Sequence, residues 1–487
     1  MNDQLPALVF LVPLMTAISL PIIGLNHRDW CRSLALGALL TMVVLAIANA
    51  FVVFTQGPIH YAFSGWVPPI GIEWVADGLS SVMMVALTLL ALIIMIYGRT
   101  TSPANLGGRV VYYYTLILLL ISALTGIVFA GDLFNIFVFL EVAALSSYGL
   151  VGLAGGRALV AAFRYLILGT LAASLYLLGV GYFYAATGTL NMADIAEKIP
   201  SLLTSKAVVV GLLFMFIGLG IKMALVPLHA WLPDAYTLAP DSVSPFLASL
   251  VTKVALLGWI RIIFWVLGAD TMVYHVPLLF LVGWLGIIAA VVGAFLALTQ
   301  ENVKRMFAYG GISHVGLILI GISQGNRTGF AGGIFYLLND AVMQATLFCL
   351  AGVAFCHYGI QTIEDLGRLR GQAPIMIGGL IVMAMSMIGL PPTGGFFGKW
   401  YIILGAIEAG NYLAGGAVLA STLLTMGYFI KIFERVFRDR HPSTSLGEIP
   451  FSLKFTVVSL SAASIILGVL SDSIVELLLE NTLPKDL

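Results

Sequence analysis

Long apolar runs fill most of the chain, and short polar stretches punctuate them. A helix that crosses a bilayer needs roughly 20 mainly apolar residues, because the hydrocarbon core is about 30 Å thick and a helix rises 1.5 Å per residue. Fourteen segments meet that requirement, near 5–25, 32–55, 76–98, 110–130, 132–153, 159–186, 207–231, 242–268, 276–299, 304–323, 329–356, 375–408, 412–436 and 451–471. The first follows Met-Asn-Asp-Gln with no basic region before it, so it is expected to be a retained helix rather than a signal peptide. Residues 56–75 predict an outer loop rich in Gly, Pro and Trp, and 191–205 a short amphipathic helix on the outer face. Residues 357–374 and 437–450 read as polar inner connections. No polar stretch is long enough for a soluble domain. The pattern predicts an all-α polytopic membrane protein, with residues 1–487 as a single membrane domain.

Composition agrees. Of 487 residues, 60% are hydrophobic and 9% charged, against about 25% charged in an average soluble protein. A soluble surface needs far more charge, so a soluble enzyme is excluded. Net charge is zero, and no basic stripe exists to engage nucleic acid. Cys31, Cys349 and Cys356 show no CxxC spacing and read as buried, inert thiols, so no metal, haem or iron–sulfur site is expected. No glycine-rich nucleotide or phosphate loop appears, so no cofactor is expected.

The basic residues test the count and fix an orientation. With an outer N-terminus, fourteen fall in inner loops, among them Arg28, Arg32, Arg109, Arg157, Lys304 and Arg305, against four outside, Lys198, Lys206, Arg327 and Lys485. Positive residues favour the inner side, so both termini are expected on the outer side. Five basic residues remain inside spans: Arg164, Lys222, Lys253, Arg261 and Lys399. Glu141, Asp340 and Glu408 are the acidic counterparts. A charge at a helix centre costs about 2.5–3.5 kcal/mol on insertion scales, so such residues are functional candidates by default. Glu141, Lys222 and Lys253 each lie within three residues of the centre of their span. Mutual ion pairs that merely orient helices are the plain alternative, although buried pairs stabilise weakly and the Gly and Ala faces of this chain would serve adhesion as well. Arg261 and Glu408 lie toward helix ends and read as snorkelling or interfacial charges.

Two spans carry proline in the middle. One reads Lys222-Met-Ala-Leu-Val-Pro227-Leu-His229-Ala-Trp231-Leu-Pro233-Asp234, the other Gly389-Leu-Pro391-Pro392-Thr-Gly394-Gly395-Phe-Phe-Gly398-Lys399. Proline frees a carbonyl, which a membrane tolerates only where protein or a wet cavity satisfies it. Paired interrupted helices point to an inverted-repeat transporter. They are the seventh and twelfth spans. Helices 4–8 and 9–13 would then be two five-helix units, 110–268 and 276–436, and an odd number of helices per unit inverts one against the other. Between the two lysines lie Lys253, His314, His357, and Asp340 with Gln344 four residues on. Histidine titrates near neutrality and suits a proton relay, although a packed, hydrogen-bonded His314 remains an alternative.

These residues resemble the antiporter-like subunits shared by Mrp-type cation/proton antiporters, respiratory complex I and membrane-bound hydrogenases, over about 73–436. The resemblance rests on Phe137-Val-Phe-Leu-Glu141, Arg164-Tyr165-Leu-Ile-Leu-Gly169, Gly220-Ile-Lys222 through Pro240 to Ser244 and Lys253, Lys304-Arg305 with Ser313-His314, and Gly389 through Lys399. Length, fourteen spans and a lysine in the twelfth look most like the D-type members of Mrp antiporters. The resemblance implies proton-transfer roles. Glu141 faces the next subunit and pairs with Lys222; Lys222 accepts the proton; Lys253 and His314 bridge; Lys399 ends the path. Arg164 matches a position usually basic, and Asp340 and His229 are weaker candidates. The family's His-x-x-x-Lys in the eleventh span reads Asp340-Ala-Val-Met-Gln344 here. Either Asp340 and water carry protons there, or the axis is interrupted.

The expected function is proton translocation within a multi-subunit complex in the cytoplasmic (inner) membrane. Other membrane subunits, protons, Na+ and the lipid bilayer are the expected partners. Mrp-type Na+/H+ exchange is the first reading and redox-driven pumping in a complex I-like or hydrogenase complex the alternative. An autonomous solute carrier and a non-conducting structural subunit are the remaining classes.

Overall fold

The computed structural model describes residues 2–101, 107–202, 205–268, 277–370, 373–438 and 449–484. Arg440, His441 and Lys485 lie outside the described residues. Among the described residues, twelve helices are long and apolar enough to cross a membrane. They include Leu5–Asn26, Trp30–Gln56, Gly78–Thr101, Val110–Phe129, Leu133–Gly152 and Arg157–Thr187 as spans one to six. The tenth and eleventh are Val303–Ser323 and Arg327–Tyr358, and the last two are Tyr412–Arg438 and Phe451–Val469. The two missing from fourteen are interrupted rather than absent. The seventh is Lys206–Lys222 followed, after an unwound stretch, by Leu232–Leu238. The twelfth is Pro374–Ile388 followed by Gly394–Glu408.

The eleventh span runs through the middle of the bundle, with every residue from Gly329 to Ala354 buried. Outer spans turn Ile22, Leu25, Phe163 and Leu423 outward at 63–80% exposure, as a lipid-facing surface requires. Ion-pairing groups that meet against the eleventh span do so where no lipid or water dilutes their attraction.

The starts of the fifth and tenth spans share a local device. Before the fifth, Asp132 accepts from Asn135 N at 2.8 Å. Leu133 N donates to Leu190 O at 3.0 Å and Met192 N to Gly131 O at 2.9 Å. Before the tenth, Asn302 accepts from Arg305 N at 3.0 Å. Val303 N donates to Gln361 O at 3.1 Å and Ile363 N to Glu301 O at 2.9 Å. In each case a capped helix start is clamped to the loop after the following span, which satisfies helix-end donors that a bilayer would leave bare.

Several elements differ from the sequence expectation. The loop 56–75 contains antiparallel strands Ile59–Ala62 and Glu73–Ala76. Asn191 Nδ2 donates to Glu73 Oε2 at 2.8 Å and Trp74 Nε1 to Asn135 Oδ1 at 2.8 Å, which seats the hairpin on the fifth span. The short helix expected over 191–205 is Met192–Lys198. A further helix, Ser471–Asn481, follows the last span; its alternating acidic and apolar residues hide it from a search for apolar runs. Cys356 is exposed rather than buried, because the eleventh helix ends two residues later, and its Sγ donates to Asp241 Oδ2 at 3.0 Å.

Arg261 is not a snorkelling charge. It is 4% exposed, and its Nη2 donates to Asp77 Oδ1 at 2.7 Å, tying the eighth span to the start of the third. Asp77 retains some exposure, so the pair sits between the surface and buried limits. Arg261→Met is expected to lower stability by about 1–3 kcal/mol on those limits, measured as an earlier thermal unfolding of the detergent-solubilised protein.

Candidate functional site

The first half of the seventh span stops at Lys222. Leu225 N reaches back to Gly220 O at 2.9 Å and Ala224 N to Ile221 O at 3.1 Å, with Ala224 in the left-handed region at φ 57°. This closes the helix as a Schellman-type end. Trp231, stacked 4.1 Å from Tyr165, adds its Nε1 as a further donor to the same Ile221 O at 2.7 Å. Lys222 is thus the last residue of a half-helix, where the negative end of the dipole favours a cation. Its Nζ is buried without a hydrogen-bond partner and lies 3.8 Å from Glu141 Oε1. Glu141, on the fifth span, is 30% exposed at its side chain, so the pair opens toward the outside of the chain.

The second cluster surrounds the eleventh span. Lys253 Nζ lies 2.7 Å from Asp340 Oδ2 and donates to Ala248 O at 2.9 Å. The eighth span forms a π-helical turn at Leu247–Val251, just ahead of Lys253. Such a turn loosens the carbonyl ladder, and it leaves Ala248 O free for the ammonium. His314 Nδ1 donates to Asp340 Oδ1 at 2.7 Å, and Gln344 Nε2 approaches the same oxygen at 3.4 Å. Lys253, Asp340 and His314 are each at most 3% exposed. His314 Nε2 has no hydrogen-bond partner. The carboxylate fixes the imidazole tautomer with Nδ1–H toward it, which leaves Nε2 to receive a proton.

Lys399 lies in the second half of the twelfth span and folds back across the break. Its Nζ donates to Met387 O at 2.8 Å, Ile388 O at 3.2 Å and Thr422 Oγ1 at 2.9 Å. All three ammonium donors are used, and two acceptors are terminal carbonyls of the first half-helix. The two broken spans solve one problem differently. Backbone closure with an added indole satisfies the carbonyls beside Lys222, and the lysine itself does so at Lys399.

The structure therefore brings together Glu141 with Lys222, and Lys253 with Asp340 and His314. Arg164 and His229 stand apart. Arg164 is largely exposed and pairs with Asp234 Oδ2 at 3.0 Å, while Arg305 takes Asp234 Oδ1 at 2.8 Å. Asp234 thus clamps the sixth and tenth spans to the second half of the seventh. His229 is half-buried with its ring 6.3 Å from Tyr309. Glu408 accepts from Thr328 at an exposed helix end.

Sequence reasoning misses one group and underrates another. Asp241 pairs with Lys304, and both line a cavity of about 420 Å³ that Arg109 and Asn302 also border. Asp340, a weaker candidate in the sequence, is the junction of the second cluster. The signal is available in the i, i+4 pair Asp340–Gln344 on the most apolar-packed span. Among the described residues, no group of three or more His, Cys, Asp or Glu is placed to hold a metal ion.

A family model described as "NADH:quinone oxidoreductase/Mrp antiporter, TM" matches residues 130–432. The chain is 36% identical to NADH-quinone oxidoreductase subunit N of Desulforudis audaxviator (strain MP104C), over 99% of each chain. It is 30% identical to the D subunit of the Na(+)/H(+) antiporter of Bacillus subtilis (strain 168), over 90% of this chain and 87% of that one. Among solved structures, the membrane-bound sulfane sulfur reductase, an archaeal respiratory membrane complex, matches with TM-score 0.91 and 28% identity, covering 97% of this chain and 96% of the other. The Mrp complex from Dietzia sp. DQ12-45-1b matches with TM-score 0.87 and 26% identity, covering 98% and 96%.

Proposed function

The chain belongs to the family of membrane subunits shared by NADH:quinone oxidoreductases and Mrp antiporters, and from that footing we propose that it moves protons along a buried row of ionisable side chains. It is a multi-pass membrane protein whose partners are other membrane subunits of one complex. We place it in the cytoplasmic (inner) membrane with both termini outside, a reading supported by the split of basic residues between loops. The two inverted units, 110–268 and 276–436, are part of the same proposal, and the matching clamps before the fifth and tenth spans support them.

One observation carries the proposal. Five spans contribute Glu141, Lys222, Lys253, Asp340 and His314, and the separations within each cluster are 2.7–3.8 Å. Lys222 receives the proton, because its Nζ is held only by the charge of Glu141. A charge displaced near the part-exposed Glu141 by a neighbouring subunit loads or unloads it. The proton then passes to the Lys253–Asp340–His314 cluster and on to Lys399. Asp340 completes the middle of the row rather than interrupting it, since one carboxylate bridges both neighbours.

Mrp-type Na+/H+ exchange is the first reading, supported by the Bacillus subtilis antiporter relative and the Mrp fold match. Redox-driven pumping is the second, favoured by the 36% identity to a quinone oxidoreductase subunit over the full length. The native complex in sealed vesicles tests both. An imposed Na+ gradient that drives a proton flux without any electron donor supports exchange. A flux that requires an electron donor and quinone supports pumping. A purified single chain that transports a solute alone, or a complex with no proton flux under either regime, overturns the proposal.

A further inference from the structure

His314 and Lys399 are not joined directly. Lys399 Nζ is held by Met387 O, Ile388 O and Thr422 Oγ1, and His314 uses Nδ1 on Asp340. A proton leaving His314 must depart from Nε2, which has no partner. Two tyrosines flank that interval.

Tyr336, on the eleventh span, is fully buried, and its hydroxyl has no hydrogen-bond partner. Its ring meets the His314 ring edge-on at 5.4 Å between centroids. Its other side lies against Gly398, where an added Cβ would stand 2.7 Å from Tyr336 Cδ2. The side chain therefore packs with its ring against His314 and its Cβ–Cδ2 edge against the backbone of the residue next to Lys399, where a glycine leaves room for it. Tyr428, on the thirteenth span, is also fully buried. Its Oη lies against Gly310, where an added Cβ would be 3.2 Å away, one turn before His314 on the same helix. Its hydroxyl makes a weak hydrogen bond to Met387 Sδ at 3.9 Å, and Met387 is the residue whose carbonyl holds Lys399.

A buried phenol without a partner, as at Tyr336, is costly unless something uses it. Packing alone is served equally by phenylalanine. We propose that Tyr336 and Tyr428 are hydroxyl relays for the proton between His314 and Lys399, a step that rests on the proton-axis reading above. A phenol is both donor and acceptor. As its oxygen takes the Nε2 proton of a His314 imidazolium, its own O–H proton passes onward, and Lys399 receives it as a neutral amine after its earlier proton has left. The phenol is unchanged, and one proton has advanced.

The test uses the intact complex in sealed vesicles, with Tyr336→Phe, Tyr428→Phe, the double variant and Lys222→Met. Tyr401→Phe is the control, since that hydroxyl bonds Asp472 at an exposed site instead. Each single variant is expected to slow proton flux, and the double variant by about a hundredfold or more, within the span of a lost general acid–base group. Thermal stability should hold, and the solvent deuterium effect on flux should rise, because hydrogen transfer becomes limiting. Wild-type flux in the double variant, with Lys222→Met inactive, overturns the relay and leaves the axis standing. Slow flux with lowered stability and an unchanged deuterium effect makes the tyrosines structural and also overturns it. Wild-type flux in Lys222→Met overturns the axis and the relay together.

Discussion

Lys222→Met is expected to abolish proton-coupled transport by the assembled complex while costing it little stability. Both halves follow from the same geometry. The Lys222 ammonium is buried, makes no hydrogen bond and lies 3.8 Å from its carboxylate. At an effective dielectric near 20, a pair at about 4 Å contributes about 4 kcal/mol, an attraction that a neighbouring charge can weaken or strengthen. Desolvation of the ammonium offsets it, so an apolar side chain of similar length loses little stability. Lys399→Met differs, because it strands Met387 O, Ile388 O and Thr422 Oγ1. It should lose transport and also stability, by about 1–3 kcal/mol for a stranded buried acceptor. Vesicle proton flux and the unfolding temperature of the purified complex measure the two together. Retained flux in Lys222→Met sinks the mechanism; a stability loss equal to that of Lys399→Met would mean the Lys222 contacts are not those described.

The contrast explains what the sequence could and could not disclose. Span positions were legible because a bilayer demands a fixed length of apolar helix, and the sequence boundaries fall within about two residues of Leu133–Gly152 or Val303–Ser323. The two breaks were legible from proline. Their consequence was less so: the seventh span ends at Lys222 itself, five residues before Pro227, because Ala224 and Trp231 close the helix early. Depth of charge was legible from helix arithmetic, but partnership was not. Lys253 meets Asp340, 87 positions away, and Arg261 meets Asp77, 184 away. Those meetings depend on how each helix is rotated about its axis, and faces that are apolar all round leave rotation unmarked. The hairpin over 59–76 was hidden because its pairing residues, among them His60 and Glu73, lack the alternation that marks a strand with one buried face. Tyr336 and Tyr428 were invisible as chemistry because an aromatic residue in a span reads as packing.

Asp340→Asn should both stop transport and destabilise the protein, and adding Lys253→Met should repair only the second defect. Asp340 is fully buried, with Lys253 Nζ and His314 Nδ1 each 2.7 Å from one of its oxygens. Asparagine keeps the shape and a hydrogen bond for His314 but removes the charge that balances Lys253. An ammonium left unpaired at 3% exposure is the costly case, about 3–5 kcal/mol when one partner of a buried pair is removed. Removing the lysine as well takes away the stranded charge, and paired removal of buried ions is often neutral or stabilising. Stability should therefore return most of the way in Lys253→Met/Asp340→Asn. Transport should not, because no group then carries the proton between Lys222 and His314. This separates function from adhesion. If the pair served only to hold the eighth span against the eleventh, the double variant would recover flux along with stability. Thermal unfolding and vesicle proton flux on the three variants give the answer, and restored flux in the double variant would place the proton path elsewhere.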